Sequence, residues 1–239
     1  MTGTNTRTLK AFDEEFERLR ARIAEMGGMA EAALDQASRA LAGRDAALAA
    51  AVVEGDRRID ALQEETEQDA VRLIALYAPV AEDLREVVAA LKIAGIIERI
   101  GDYAKNIARR VPAIADEGAG DPLHPDHGDH GAVLPAMAAV AADMVRDALD
   151  AFAARDAARA ILVVRRDDVV DAFHKSIFET ALAFMAENRP GIPPATHLLH
   201  MARSLERIAD HATNIAGLVH FAVTGRRVEE RSPPMETGR

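Results

Sequence analysis

Apolar residues recur along this chain every three or four positions, the period of helices with one buried face. Ile93, Ile97, Ile100, Ala104, Ile107 and Val111 step alternately by four and three, and Met201, Leu205, Ile208, Ala212, Ile215 and Val219 repeat the rhythm. A stripe of this kind is heptad-like and suits packing against another helix at a shallow crossing angle. Leu48, Val52, Ile59 and Leu62 form a further stripe, and Val163, Val170, Phe173 and Ile177 another. All of these positions are read as core. Runs of alternating β-branched residues between tight Asn-Gly or Asp-Gly turns, the mark of hairpins, do not occur.

Punctuation divides the stripes into six long helices. The first is expected over about 9–42, stopping near Gly43, and the second over about 45–77, with Asp45 as N-cap and an end before Pro79. The third is expected over about 81–111, ending before Pro112. Three more follow at about 132–154, 156–188 and 195–221, with Pro193 and Pro194 marking entry to the last.

The second trio repeats the first. Residues 94–108 read AGIIERIGDYAKNIA and residues 202–216 read ARSLERIADHATNIA, identical at nine of fifteen positions. Upstream, Ala42-Gly43-Arg44-Asp45 aligns with Ala153-Ala154-Arg155-Asp156, and the pair Asp56/Asp60 aligns with Asp167/Asp171. A period this long means one supersecondary unit used twice. The expected fold is all-α: two tandem repeats, each an antiparallel three-helix bundle. Its parts are a first unit at 1–112, a linker at 113–131, a second unit at 132–224 and a tail at 225–239. The linker, rich in His, Gly, Pro and Asp, has no periodicity, and the tail RRVEERSPPMETGR is expected to be disordered.

Composition narrows the chemistry. The 239 residues include no cysteine, which excludes disulfides, thiolate metal ligands and thiol nucleophiles. The longest apolar run, Val87 to Ile97, is interrupted by Lys92 and falls short of the roughly 18 residues that a membrane span needs. The start, MTGTNTRTLK, lacks the apolar stretch of a signal peptide, so a cytoplasmic protein is expected. A net charge of −10 argues against nucleic acid as a partner and suits cations or basic surfaces.

Acidic spacing supplies the candidate site. Glu98, Asp102 and Asn106 fall on one line along the third helix, roughly opposite its apolar seam, and Glu206, Asp210 and Asn214 repeat the line on the sixth. Like charges one turn apart repel, so the helix alone gains nothing from them. A bound cation removes that repulsion. Asp56/Asp60 and Asp167/Asp171 form matching pairs on the neighbouring helices, so each unit offers four carboxylates to one site. Ligation by oxygen alone suits hard cations such as magnesium, calcium or manganese, and tolerates ferric iron or zinc. The competing account is a solvated acidic surface, partly balanced by Arg99, Lys105, Arg109, Arg203 and Arg207.

Other candidates carry less. His124, His127 and His130, with Asp126 and Asp129, form a chelating pattern in the linker. His174 is followed directly by Lys175, where a phosphotransfer site wants its basic residue one turn on, and His211 stands where the first unit has Tyr103. A ferritin-type di-metal oxidase needs Glu-x-x-His, but Gly101 follows Glu98 by three and Ala209 follows Glu206 by three. No Ser/His/Asp constellation, Gly-rich phosphate loop or HExxH motif is present, and no enzymatic activity is expected.

The duplicated ERIGDYAKNIA and ERIADHATNIA, with VVEGDRRIDALQEE and VVRRDDVVDAFHKS before them, resemble the signature of the PhoU family of phosphate-transport regulators over about residues 10–222. The resemblance implies metal ions or clusters on the acidic faces, of iron, zinc, manganese or magnesium. Glu98, Asp102, Glu206 and Asp210 then take the main ligand positions, supported by Asp56, Asp60, Asp167 and Asp171, with Asn106 and Asn214 as further candidates. It also implies a negative regulator of the phosphate-starvation response that links the ATPase subunit of a phosphate ABC transporter to a sensor histidine kinase. Such a protein is commonly a homodimer and meets the membrane only through its partners. A close alternative is an accessory of a different phosphate transporter. Departures are Asp168 beside Asp167, Lys175 in place of the acid at Glu64, and the His-rich linker.

Overall fold

The computed structural model describes residues 2–116 and 130–228, with side chains for 10–114 and 133–228. Its first unit comprises α1 (Thr2–Gly43), α2 (Ala46–Tyr77) and α3 (Ala81–Ala108), followed by the short α4 (Val111–Asp116). The second unit comprises α5 (His130–Ala154), α6 (Ala157–Arg165), α7 (Asp167–Glu187), a 3-10 turn at Arg189–Gly191, and α8 (Ile192–Thr224). The described residues contain no strand, and no helix among them is long and apolar enough to cross a membrane.

The repeat extends to the helix starts. The Asp45 carboxylate accepts the Leu48 amide at 2.9 Å, and Asp156 accepts the amides of Ala158 and Arg159, both at 2.9 Å. Each cap satisfies amides that the first turn leaves without a helical partner. Arg44 and Arg155, just before the two caps, both adopt a left-handed backbone, with φ of 51° and 54°. The same corner is built twice.

Four boundaries differ from the sequence expectation. The first helix begins at Thr2 rather than near residue 9. The third helix ends at Ala108, and after a two-residue turn the chain is helical again through Pro112. Proline is tolerated near the start of a helix, where its missing N–H has no partner to lose, and the restart lets Val111 and Ile114 join the core. The helix expected over 156–188 is two. It tightens at Arg166, whose amide bonds Val163 and whose carbonyl accepts from Val169, three residues away in each direction. Arg166 is held there by Asp147 on α5 at 2.6 Å. Finally, α8 takes in Pro193 and Pro194 within its first turn. The His cluster of the linker and the tail beyond residue 228 lie outside the described side chains.

Buried side chains from both units merge into one apolar cluster, because α3 packs on α8 and α1 on α5. The predicted stripes are its spine: Ile93, Ile97, Ile100, Met201, Ile208 and Ile215 are all inaccessible to solvent. Burial of each such side chain contributes about 1.5–3 kcal/mol. At the α1–α5 crossing a Cβ on Gly27 would stand 2.6 Å from Leu149 Cδ1, so the helices meet there only because position 27 is bare. Polar ties reinforce the seam. Arg20 donates to the Ala153 carbonyl at 2.5 Å, Arg85 to the Ala222 carbonyl at 3.2 Å, and Arg155 pairs with Glu82 and Glu86.

Candidate functional site

Two groups of carboxylates arise where the second long helix of each unit meets the third. In the first, Asp56 and Asp60 of α2 face Glu98 and Asp102 of α3. Asp56 is only 4% exposed although it stands mid-helix. Gly101 explains its depth: a Cβ there would lie 2.9 Å from Ile59 Cδ1 and 3.2 Å from Asp56 Oδ1, so its absence lets α2 settle onto α3. Burial, together with Asp56, Asp102 and Glu64, pushes the Asp60 carboxyl above its ordinary range, with Lys105 opposing. Burial with Asp102 and Asp60 does the same to Glu98. Four acids have been brought together.

The first group also contains its own cation. Lys105, one turn beyond Asp102, is paired by its ammonium with Asp56 and, at 2.5 Å, with Asp102. Burial disfavours the charged ammonium, but the hydrogen bonds it donates to Asp102 and Asp56, with the charges of both, outweigh it and hold Lys105 above its ordinary pKa. Asp56 Oδ1, the oxygen Lys105 does not take, is buried without a hydrogen-bond partner.

In the second unit, Asp167 and Asp171 of α7 meet Asp210 of α8. Thr213 replaces Lys105, and its hydroxyl hydrogen-bonds Asp167, which lowers that carboxyl's pKa. With no ammonium in place, burial and the charges of Asp171 and Asp210 outweigh it and push Asp167 up to about 6. Glu206 pairs with Arg203 at 2.6 Å, its Oε2 accepts no hydrogen bond but lies 3.9 Å from Arg207, and Asp210 pairs with Arg207 at 3.1 Å. Orphaned carboxylate oxygens and an acid held near neutrality are what a cation site looks like from the ligands' side. The donor set therefore fits a hard cation. Its members are neighbours without being a closed shell: among the described residues no three His, Asp or Glu side chains converge as a preformed metal cluster.

The carboxylates are less outward than the helical wheel suggests, because α2 and α7 cover one edge of the acidic line. Asn214 lines a groove between α3 and α8, and the Asn106 backbone carbonyl accepts from Arg110 at 2.6 Å. His211 and Tyr103, which occupy equivalent positions of the repeat, stack across the same α3–α8 boundary with ring centroids 5.6 Å apart. Sequence reasoning placed Lys105 among the surface counter-charges. Its place in the site follows from the close approach at Gly101, a glycine mid-helix beside an acidic pair.

Two helical units, each with a carboxylate group where its second long helix meets its third, define a duplicated helical-bundle protein. The PhoU domain model matches residues 23–111 and 134–219, one match per unit, and the chain belongs to the PhoU family. A phosphate-specific transport system accessory protein PhoU homolog from Zymomonas mobilis is 48% identical over 225 residues, 94% of this chain and 92% of that protein. Its counterpart from Caulobacter vibrioides is 42% identical, covering 96% of each chain. The crystal structure of PhoU from Pseudomonas aeruginosa superposes with a TM-score of 0.83 at 34% identity, over 90% of this chain and all of that one. That of the phosphate transport system regulatory protein PhoU from Streptococcus pneumoniae gives 0.81 at 26% identity, over 92% of this chain and all of that one.

Proposed function

We propose that this protein is a cytoplasmic, non-enzymatic negative regulator of the phosphate-starvation response, working as an adaptor between a phosphate ABC transporter and a sensor histidine kinase. The observation that carries this reading is the pair of family matches, one on each unit, together with full-length relatives that act as transport-system accessories. The adaptor contacts the transporter's ATPase subunit and the kinase through helix faces, as a homodimer. Loss of the gene is expected to switch on phosphate-starvation genes in phosphate-replete medium, and the purified protein is expected to retain both partners in pull-downs. Normal repression in the deletion strain would overturn the reading.

Cations of the magnesium, manganese, zinc or iron class bind the carboxylate groups, and the second group takes them more readily. Asp167, Asp171, Glu206 and Asp210 hold the ion there, and the bound charge neutralises acids that otherwise repel one another. In the first group Asp56, Asp60, Glu98 and Asp102 accept a cation once Lys105 is displaced. Elemental analysis after dialysis against manganese tests this. Metal should fall in Asp167→Asn and Asp171→Asn, and an unchanged content would remove the assignment.

A further inference from the structure

Between α3 and α8, where the two units face one another, runs a groove of about 950 Å³ that touches the first carboxylate group only at Glu98. Its charged lining is unusual for a chain of net charge −10: Lys92, Arg99 and Arg227 point into it against a single acid, Glu98. None of the three cations forms an ion pair in the described structure, whereas Arg203, Arg207, Arg155 and Arg159 all do. Beside them, His211 Nδ1 is buried without a hydrogen-bond partner. Ile96, Leu218 and Phe221 add apolar surface to the same lining. Gly95 and Gly217 widen the space, and neither has an atom within 4 Å of where a Cβ would sit.

Unpaired guanidinium and ammonium groups that share one groove with aromatic and aliphatic side chains suit a ligand carrying both an anionic group and an apolar body. We propose that this groove binds an organic phosphate of nucleotide size, its phosphates against Lys92, Arg99 and Arg227 and its flat apolar body against Phe221 and Leu218. Arg99 is suited to bidentate phosphate contact, and the Phe221 ring supplies a face for stacking. The volume argues for more than a lone oxyanion, since ligand pockets of about 300–1,000 Å³ enclose molecules of drug or nucleotide size. The assignment is independent of the regulatory role proposed above.

The test is isothermal titration of the full-length protein, freed of metal by chelation, with ADP, adenosine and inorganic phosphate in parallel. ADP is expected to bind one per chain, at least tenfold more tightly than either adenosine or phosphate. Arg99→Gln and Lys92→Gln, both at exposed positions, should each weaken ADP by about tenfold. Gly217→Leu fills the groove without touching its charges, and should abolish binding while the circular dichroism spectrum and melting temperature stay near those of the parent. Absence of saturable ADP binding overturns the proposal. So does equal affinity for inorganic phosphate, or binding that survives both the charge and the filling variants.

Discussion

The two carboxylate groups descend from one repeated pattern and have settled their electrostatics differently. In the first unit, Gly101 lets α2 and α3 close up, Asp56 sinks to 4% exposure, and Lys105 supplies a positive charge from within the chain. The second unit has Ala209 and Thr213 at the equivalent positions, and Asp167 is left to share its surroundings with Asp171 and Asp210. One group is partly neutralised by an ammonium carried on the same helix. The other has arginines on Glu206 and Asp210 but no such ammonium among its aspartates, which a proton or a dissolved cation would stabilise. Identical acids therefore do not make identical sites; the residue one turn further on decides.

Removing the tethered charge should have the largest effect. Lys105→Met leaves Asp56 buried beside uncompensated acids and is expected to cost about 3 kcal/mol in urea unfolding, the lower end for breaking a buried pair because Asp102 stays partly solvated. Next comes metal. Magnesium at ten times its dissociation constant should stabilise the parent by about 1.4 kcal/mol. Thr213→Lys, which imports the first unit's solution into the second, should erase that response. If Thr213→Lys still gains stability from magnesium, the contrast between the groups is wrong.

Asp167 gives a smaller effect with a defined sign. Its folded pKa of about 6 lies above the unfolded value near 3.8, so the folded state holds the proton more tightly. Its contribution to stability is fully present below about pH 4 and is lost as pH rises through about 6. Asp167→Asn in metal-free buffer should flatten that decline and raise stability at pH 7 by about 1 kcal/mol, a figure discounted because the group is only half-buried. Thermal melts across pH 4–7 check it. The smallest change is expected for Thr213→Val, a loss of about 0.5 kcal/mol, because the hydroxyl it deletes bonds only the half-exposed Asp167.

Much of this architecture was legible in the chain. Helix period, caps and the ERI repeat suffice for the bundles, because each reports a local rule: Asp45 and Asp156 cap for reasons contained in four residues. The acidic pairs were legible for the same reason, as spacing on a helix. What the sequence concealed depends on interhelical distance. Nothing local in AGIIERIGDYAKNIA says that α2 comes close enough to bury Asp56, or that Lys105 reaches across to it. Nor does local pattern reveal the break at Arg166, which contains neither proline nor glycine and is held by an ion pair from α5. The α3–α8 groove is a product of two units meeting, and only their docking creates it.

The bare crossing at Gly27 reaches beyond this one chain. Since Leu149 Cδ1 holds the space a methyl group would need, a side chain at position 27 requires Leu149 either to turn aside or to be smaller. Relatives carrying alanine or serine at position 27 should therefore favour a trimmed residue at 149. Such covariation would let a reader of bare sequences recover how the halves are joined.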